Sequence, residues 1–211
     1  REETLSYKIL PEDLNPELKD ISQNYLIHWT RTANTAWATE RLLDYYQAVM
    51  QSDRYPRSAY DSLLNIISNK FIKASPKNMP NKIPVVSFSE QTVSEMVNLM
   101  RWRSRYKQMS FEPYGIGIEK KTAFNMAIRP VKYHNKKEYL LNNKENNYRW
   151  LSQSSGEKSD WRAEQEYRHK GDFMLTNIPL DKMILICHTE EEAERISTHT
   201  SIRAISFITV L

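Results

Sequence analysis

Short runs of β-branched and aromatic residues limit what this chain folds into. YLIHW (25–29), VVSFS (85–89), the run from Gly115 to Glu119 and KMILICH (182–188) are each of strand length, and none approaches a membrane span. VVSFS is the clearest, because its aromatic and β-branched residues alternate with serines. KFIKAS (70–75), RPVKYH (129–134) and the closing SIRAISFITVL read as further strands. Between them lie helical patterns. Residues 37–52 place Leu42, Leu43, Tyr46, Val49 and Met50 at helical spacing. Ser58 caps a second helix with Leu63, Leu64, Ile66 and Ile67 on its core face, and Thr189-x-x-Glu192 is a capping box for a late one. A further helix is expected over 91–101. Residues 1–24, with Pro11 and Pro16, read as an N-terminal arm, and the Asn-, Lys- and Ser-rich residues 135–160 as a long exposed loop. Together these predict one α+β domain over 1–211, a mixed sheet with helices inserted mainly in its first half.

Composition narrows the function classes. Cys187 is the only cysteine among 211 residues, so an internal disulfide and a thiolate-rich metal site are both excluded. A reducing, cytoplasmic setting is the expectation. The opening REETLSYKIL lacks the basic-then-apolar pattern of a secretion signal, and no membrane association is expected. A net charge of +4 weakly favours anionic partners such as nucleotides, phosphates or nucleic acid.

Three pieces carry residues suited to chemistry. His28 ends the first strand. Ser87 and Ser89 share one face of the VVSFS strand, with Val86 and Phe88 on the other. In DWRAEQEYRHKGDF (160–173), an extended segment would put Glu164 and Glu166 on one face and Gln165 on the other. Each piece has a structural reading as well. A lone histidine at a strand end usually serves a hydrogen bond, serine alternating with apolar residues is ordinary for a half-exposed strand, and glutamates among Arg and Lys usually form surface ion pairs.

The order of the three resembles the ADP-ribosyltransferase fold. That resemblance implies NAD as substrate and ADP-ribose transfer to a macromolecular acceptor, protein or nucleic acid, with hydrolysis as a side reaction. It gives Glu166 the ribose-side carboxylate, beside the positive charge that builds as the nicotinamide–ribose bond breaks. It gives Glu164 the orientation of the acceptor, His28 the ribose and Ser87 the bracing of the site. Arg31 would reach a phosphate, and Tyr114 or Tyr167 would stack on nicotinamide.

A second resemblance covers residues 25 to 175. IHWTR, PRSA, VVSFSE, MRWRSRY, FEPYGIGI, RPVKY and EQEYRHKGDF are similar to a family of bacterial proteins related to the AbiGi-like abortive-infection group. It implies a phage-defence toxin or effector, with an antitoxin or regulatory partner, and carries no reaction of its own.

MRWRSRYKQM (100–109) is basic and aromatic. It reads either as a pyrophosphate- or backbone-binding patch centred on Arg105 or as a basic helix with Trp102 and Tyr106 packed inward. Two rival functions remain. Asp160, Glu164, Glu166 and Lys170 suggest a metal-dependent nuclease, but Arg168 stands where that pattern has Lys. A transferase-like shell without catalysis would be a nucleotide- or partner-binding module. No metal site is predicted: Cys187 and His188 are strand neighbours and point opposite ways. GIG (115–117) lacks the third glycine and the following helix of a dinucleotide cradle.

Overall fold

The computed structural model describes residues 10–77, 79, 82–92, 95–97, 100, 102–103, 108–109, 111–135, 149–155 and 161–209. Its centre is a seven-stranded mixed sheet. In chain order the strands are β1 (Tyr25–Trp29), β3 (Val85–Ser89), β6 (Gly115–Glu119), β7 (Arg129–Pro130), β10 (Glu166–Lys170), β12 (Met183–Cys187) and β13 (Ala204–Ser206). They lie in the order β13-β12-β6-β1-β3-β10-β7. Every ladder is antiparallel except β12 with β13. Three two-stranded pieces flank it: β2 (Phe71–Ile72) with β11 (Phe173–Met174), β4 (Trp102–Arg103) with β5 (Gln108–Met109), and β8 (Lys132–His134) with β9 (Ser152–Ser154). The protein is thus α+β with a large mixed sheet, as the patterning predicts.

Strand alternation builds two cores. Leu26, Val86, Phe88, Ile116, Ile118, Met183, Leu185 and Cys187 pack on one face. Leu63 from α3 (Ala59–Asn69) covers them with Ala193 and Ile196 from α5 (Glu190–Thr200). The opposite face carries Ile27, Trp29, Ile184, Ile186 and Phe207, covered by Leu18 and Ile21 of α1 (Glu17–Asn24) and by Met96 and Phe111. On that face β6 presents glycines. A Cβ on Gly117 would lie 2.6 Å from Ile184 Cγ2, and one on Gly115 would lie 2.9 Å from Ile27 Cγ2. The glycines therefore let the large side chains of β1 and β12 meet across β6.

Both predicted caps form. The Ser58 hydroxyl accepts from the Asp61 amide while the Asp61 carboxylate accepts from the Ser58 amide, and Thr189 with Glu192 repeats the arrangement.

Several expectations differ from the structure. Residues 17–24 of the predicted arm form α1, because Leu18 and Ile21 find a buried face. Within the predicted loop 135–160, Arg149–Leu151 make a 3-10 turn with buried Trp150, and β9 pairs in parallel with β8. Residues 136–148 and 156–160 lie outside the described residues. Within the basic 100–109 stretch, where one reading was a helix, Trp102 and Arg103 form a strand that pairs antiparallel with Gln108 and Met109, and residues 101 and 104–107 lie outside the described residues. Of the helix expected over 91–101, residues 95–97 are helical. A short helix, α4 (Lys120–Asn125), follows β6 directly, where none was expected. Finally, α2 (Leu42–Gln51) forms as predicted, but none of its residues is buried.

Candidate functional site

The site begins at the centre of the sheet, where β1, β3 and β10 are neighbours. These strands carry His28, Ser87 and Glu166 respectively. Arg168 is the ladder partner of Ser87, and Glu166 is the partner of Ser89, so all four side chains lie on one face of the β3–β10 pair. The Ser87 hydroxyl donates to Glu166 Oε1 at 2.6 Å. The ladder between β1 and β3 consists of one pair, Ile27 with Ser89. Beyond it the His28 imidazole takes over, its Nδ1 donating to the Ser87 carbonyl at 2.8 Å. A carbonyl only accepts, so Nδ1 carries the proton and Nε2 of the neutral ring is an acceptor. Burial pushes the His28 pKa down to about 4; the bond to Ser87 opposes that shift and the Arg31 charge adds to it.

Ser87 therefore joins the other two residues, through its hydroxyl to Glu166 and its carbonyl to His28. The two side chains nevertheless sit on different sides of the sheet. The His28 ring packs edge-on against Phe88, 5.8 Å between centroids, and Phe88 belongs to the core face opposite Ser87.

Glu166 is held closely. The Arg168 guanidinium donates from Nε to Oε1 at 2.8 Å and from Nη2 to Oε2 at 2.7 Å. Arg168 itself is buried, and it also donates to the Trp150 carbonyl at 2.9 Å and to Gln153 Oε1 at 2.8 Å. The Glu166 amide donates to the Tyr133 hydroxyl at 3.3 Å, and burial pushes the Tyr133 pKa up to about 12. A carboxylate offers about four lone-pair directions. Arg168 and Ser87 fill both on Oε1, and Arg168 fills one on Oε2. Among the described residues, one direction on Oε2 is left without a donor.

Glu164 does not lie on the strand with Glu166. Trp161–Glu164 form a 3-10 turn, Gln165 takes a left-handed φ of 41°, and β10 begins at Glu166. The extended Glu-x-Glu geometry expected from the sequence is thereby corrected. The reason is the bonding around the kink. Glu164 offers its carbonyl to Ser89 Oγ at 2.9 Å, and Gln165 offers its own to the Glu90 amide at 3.1 Å.

The remaining predicted residues are spread out. Tyr167 points to the Phe88 side, where its hydroxyl donates to Glu90 Oε2 at 2.6 Å and its ring meets Phe124. Tyr114 packs between Tyr60 and His188 and donates to Glu192 Oε1 at 3.0 Å. Burial raises the pKa of both phenols. The Arg31 guanidinium stacks over Phe111 at 5.2 Å. Arg105 lies outside the described residues, as does Asp160 of the nuclease pattern. Among the described residues, no three His, Cys, Asp or Glu side chains gather at one point, and no helix is long and apolar enough to cross a membrane.

Alternation along β10 places Arg168 on the same face as Glu166, which is visible in the sequence, whereas the two-point contact between them is not. Tyr133, Trp150 and Gln153 arrive from segments with no sequence signal linking them to Glu166. Elsewhere, a cleft of about 640 Å³ opens beside Asp20, Tyr25, Glu119, Lys121 and Arg203, and none of the predicted site residues lines it. No protein-family model, curated protein or solved structure matches the chain.

Proposed function

We propose that this protein is an ADP-ribosyltransferase-like enzyme whose site is centred on Glu166, with NAD as substrate and a protein or nucleic acid as acceptor. The observation that carries the reading is the double use of Ser87, which joins Glu166 on β10 to His28 on β1. The open direction on Glu166 Oε2 accepts a ribose hydroxyl. The carboxylate then lies beside the sugar carbon on which positive charge develops. Ser87 fixes the carboxylate rotamer, and neutral His28 keeps β1 against β3 beneath the site. A cytoplasmic phage-defence role, with an antitoxin or regulatory partner, follows from the family resemblance and belongs to the same proposal.

Arg168 favours a second reading. Its charge offsets that of Glu166, which reduces the field available to a developing cation. A nucleotide-binding module without turnover uses the same Oε2 direction and needs no such field.

Calorimetric titration with NAD, with nicotinamide release followed in parallel, separates the two. The transferase reading expects wild type to bind and release nicotinamide. It expects Glu166→Gln to keep its fold and lose release by about 10²-fold or more, the usual scale for one electrostatic group. Binding without release in wild type supports the module. Absence of binding at millimolar NAD overturns both.

A further inference from the structure

The fold gathers lysines at one end of the central sheet. Residues 70–84 hold Lys70, Lys73, Lys77 and Lys82 and no carboxylate. A second segment is brought against them. Val85, the first residue of β3, pairs with Lys170 of β10 on one side and with Ser75 on the other. The Gly171 amide donates to the Pro84 carbonyl at 2.9 Å, and β11 then pairs with β2. Residues 70–84 and 169–174 thus make one surface with five lysines and one carboxylate, Asp172. Its net charge of +4 equals that of the whole chain. All five lysines are exposed. Lys73 takes the carboxylate, at 2.8 Å. Among the described residues, no carboxylate pairs with Lys70, Lys77, Lys82 or Lys170.

This surface runs into the Glu166 site. Alternation along β10 places Lys170 on the face that carries Arg168 and Glu166. On the neighbouring strand Ser87 is exposed on that same face. From Lys170 to Glu166 the strand covers about 14 Å, a span that a few nucleotides cross. We infer that the lysine surface binds the phosphate backbone of a single nucleic-acid strand and leads it along β10 to Glu166. The binding stands apart from the transferase reading. That the strand is the acceptor of ADP-ribose rests on that reading, and it selects nucleic acid over protein.

The surroundings favour a strand over other anions. Tyr133 and Gln153 of the β8–β9 pair stand beside Glu166 and Arg168, so the approach is narrow on that side. Tyr133 is half-buried there, and its ring offers a stacking surface to a base. Exposed Ser75 adds a hydroxyl of the kind that contacts phosphates. A membrane-surface element is a helix with Trp, Phe or Leu opposite its cations. These lysines stand on strand ends and loops, and no exposed Trp, Phe or Leu lies among the described residues of 70–84 or 169–174.

Fluorescence anisotropy of a labelled single strand of about 12 nucleotides, as RNA and as DNA, tests this with the full chain at about 50 to 300 mM salt. Wild type is expected to bind with a log–log salt slope of roughly −2 to −3, about −0.7 for each lysine on a phosphate. Lys77→Gln with Lys170→Gln should weaken binding about 10-fold and bring the slope about 1.4 nearer zero. Far-UV circular dichroism should not change, because both side chains are exposed. Lys19→Gln with Lys121→Gln removes the same charge outside the surface and should leave affinity and slope as in wild type. Absence of wild-type binding to either strand overturns the inference. So does a Lys77 and Lys170 variant that keeps wild-type affinity and slope, or an equal loss in the control. Competition by poly-glutamate as strong as by unlabelled strand overturns it in favour of an acidic protein. Lysine-dependent binding to anionic phospholipid vesicles without binding to either strand overturns it in favour of a membrane. With NAD labelled in its ADP-ribose part, label on the bound strand supports the acceptor role. Nicotinamide release with no label on the strand overturns that role alone. Strand binding with no nicotinamide release overturns the transferase reading and leaves the surface standing.

Discussion

Arg168 grips both carboxylate oxygens of Glu166, with contacts of 2.8 and 2.7 Å, while it is itself buried beneath Trp150 and Gln153. Removing the cation strands the Trp150 carbonyl and the Gln153 amide oxygen along with the carboxylate. Arg168→Met should therefore destabilise the fold by about 3–5 kcal/mol, the usual loss when one partner of a buried pair is removed. Urea denaturation reads this directly. A loss below about 1 kcal/mol would show that the pair is solvent-screened and that Glu166 is not held by it.

His28 gives a pH prediction. Its folded pKa of about 4 lies below the ordinary 6.5, so the unfolded chain binds more protons between those values. Stability then rises with pH across that window and loses this contribution as pH falls from about 6.5 toward 4. The ceiling is about 3 kcal/mol, at about 1.4 kcal/mol per pKa unit. His28→Gln should flatten the difference between urea midpoints at pH 7 and pH 5. NMR should show the imidazole still neutral at pH 5; a charged ring there would mean that burial does not hold the His28 pKa down.

Gly117 is the tighter of the two glycines in β6. Its missing side chain leaves room for Ile184 Cγ2, which a Cβ would meet at 2.6 Å. Gly117→Ala should destabilise by about 1–3 kcal/mol, in line with overpacking. The double variant Gly117→Ala with Ile184→Leu, which removes the Cγ2 branch, should lose less than the sum of the two single variants. Additive losses in the thermal midpoints would rule out the steric cause.

Cys187 is fully buried in β12, and burial with the Glu192 charge nearby pushes its thiol up to about 12. The thiolate is the reactive form. The native thiol should react with an aromatic disulfide reagent at least about 10²-fold more slowly than in urea. Equal rates would mean that β12 opens readily.

The strands and caps were legible because they rest on local chemistry. VVSFS, YLIHW and MILIC carry their own alternation or apolar density, and Ser58 and Thr189 satisfy amides three residues away. The contact between Ser87 and Glu166 was anticipated as shared membership of one site, but its length and the hold of Arg168 were not. Residue order alone could not separate His28 from Glu166. A strand offers two faces, and the face each side chain takes depends on ladder register, which in these two ladders joins residues 62 to 85 positions apart.

What the sequence determined by itself is most strands of the central sheet, the helices α2, α3 and α5 with two of their caps, and the lack of any cysteine pair. Tertiary structure decided three things. It kinked the chain at Gln165, so Glu164 left the strand that alternation had assigned it. It paired Trp102 and Arg103 with Met109 and Gln108 as antiparallel strands. It set α2 on its Tyr45 and Ala48 side, which left an apolar stripe facing water. Periodicity states that a helix has an apolar side, but only the packing of Arg57, Trp37 and Tyr45 beneath it fixes which side faces the core.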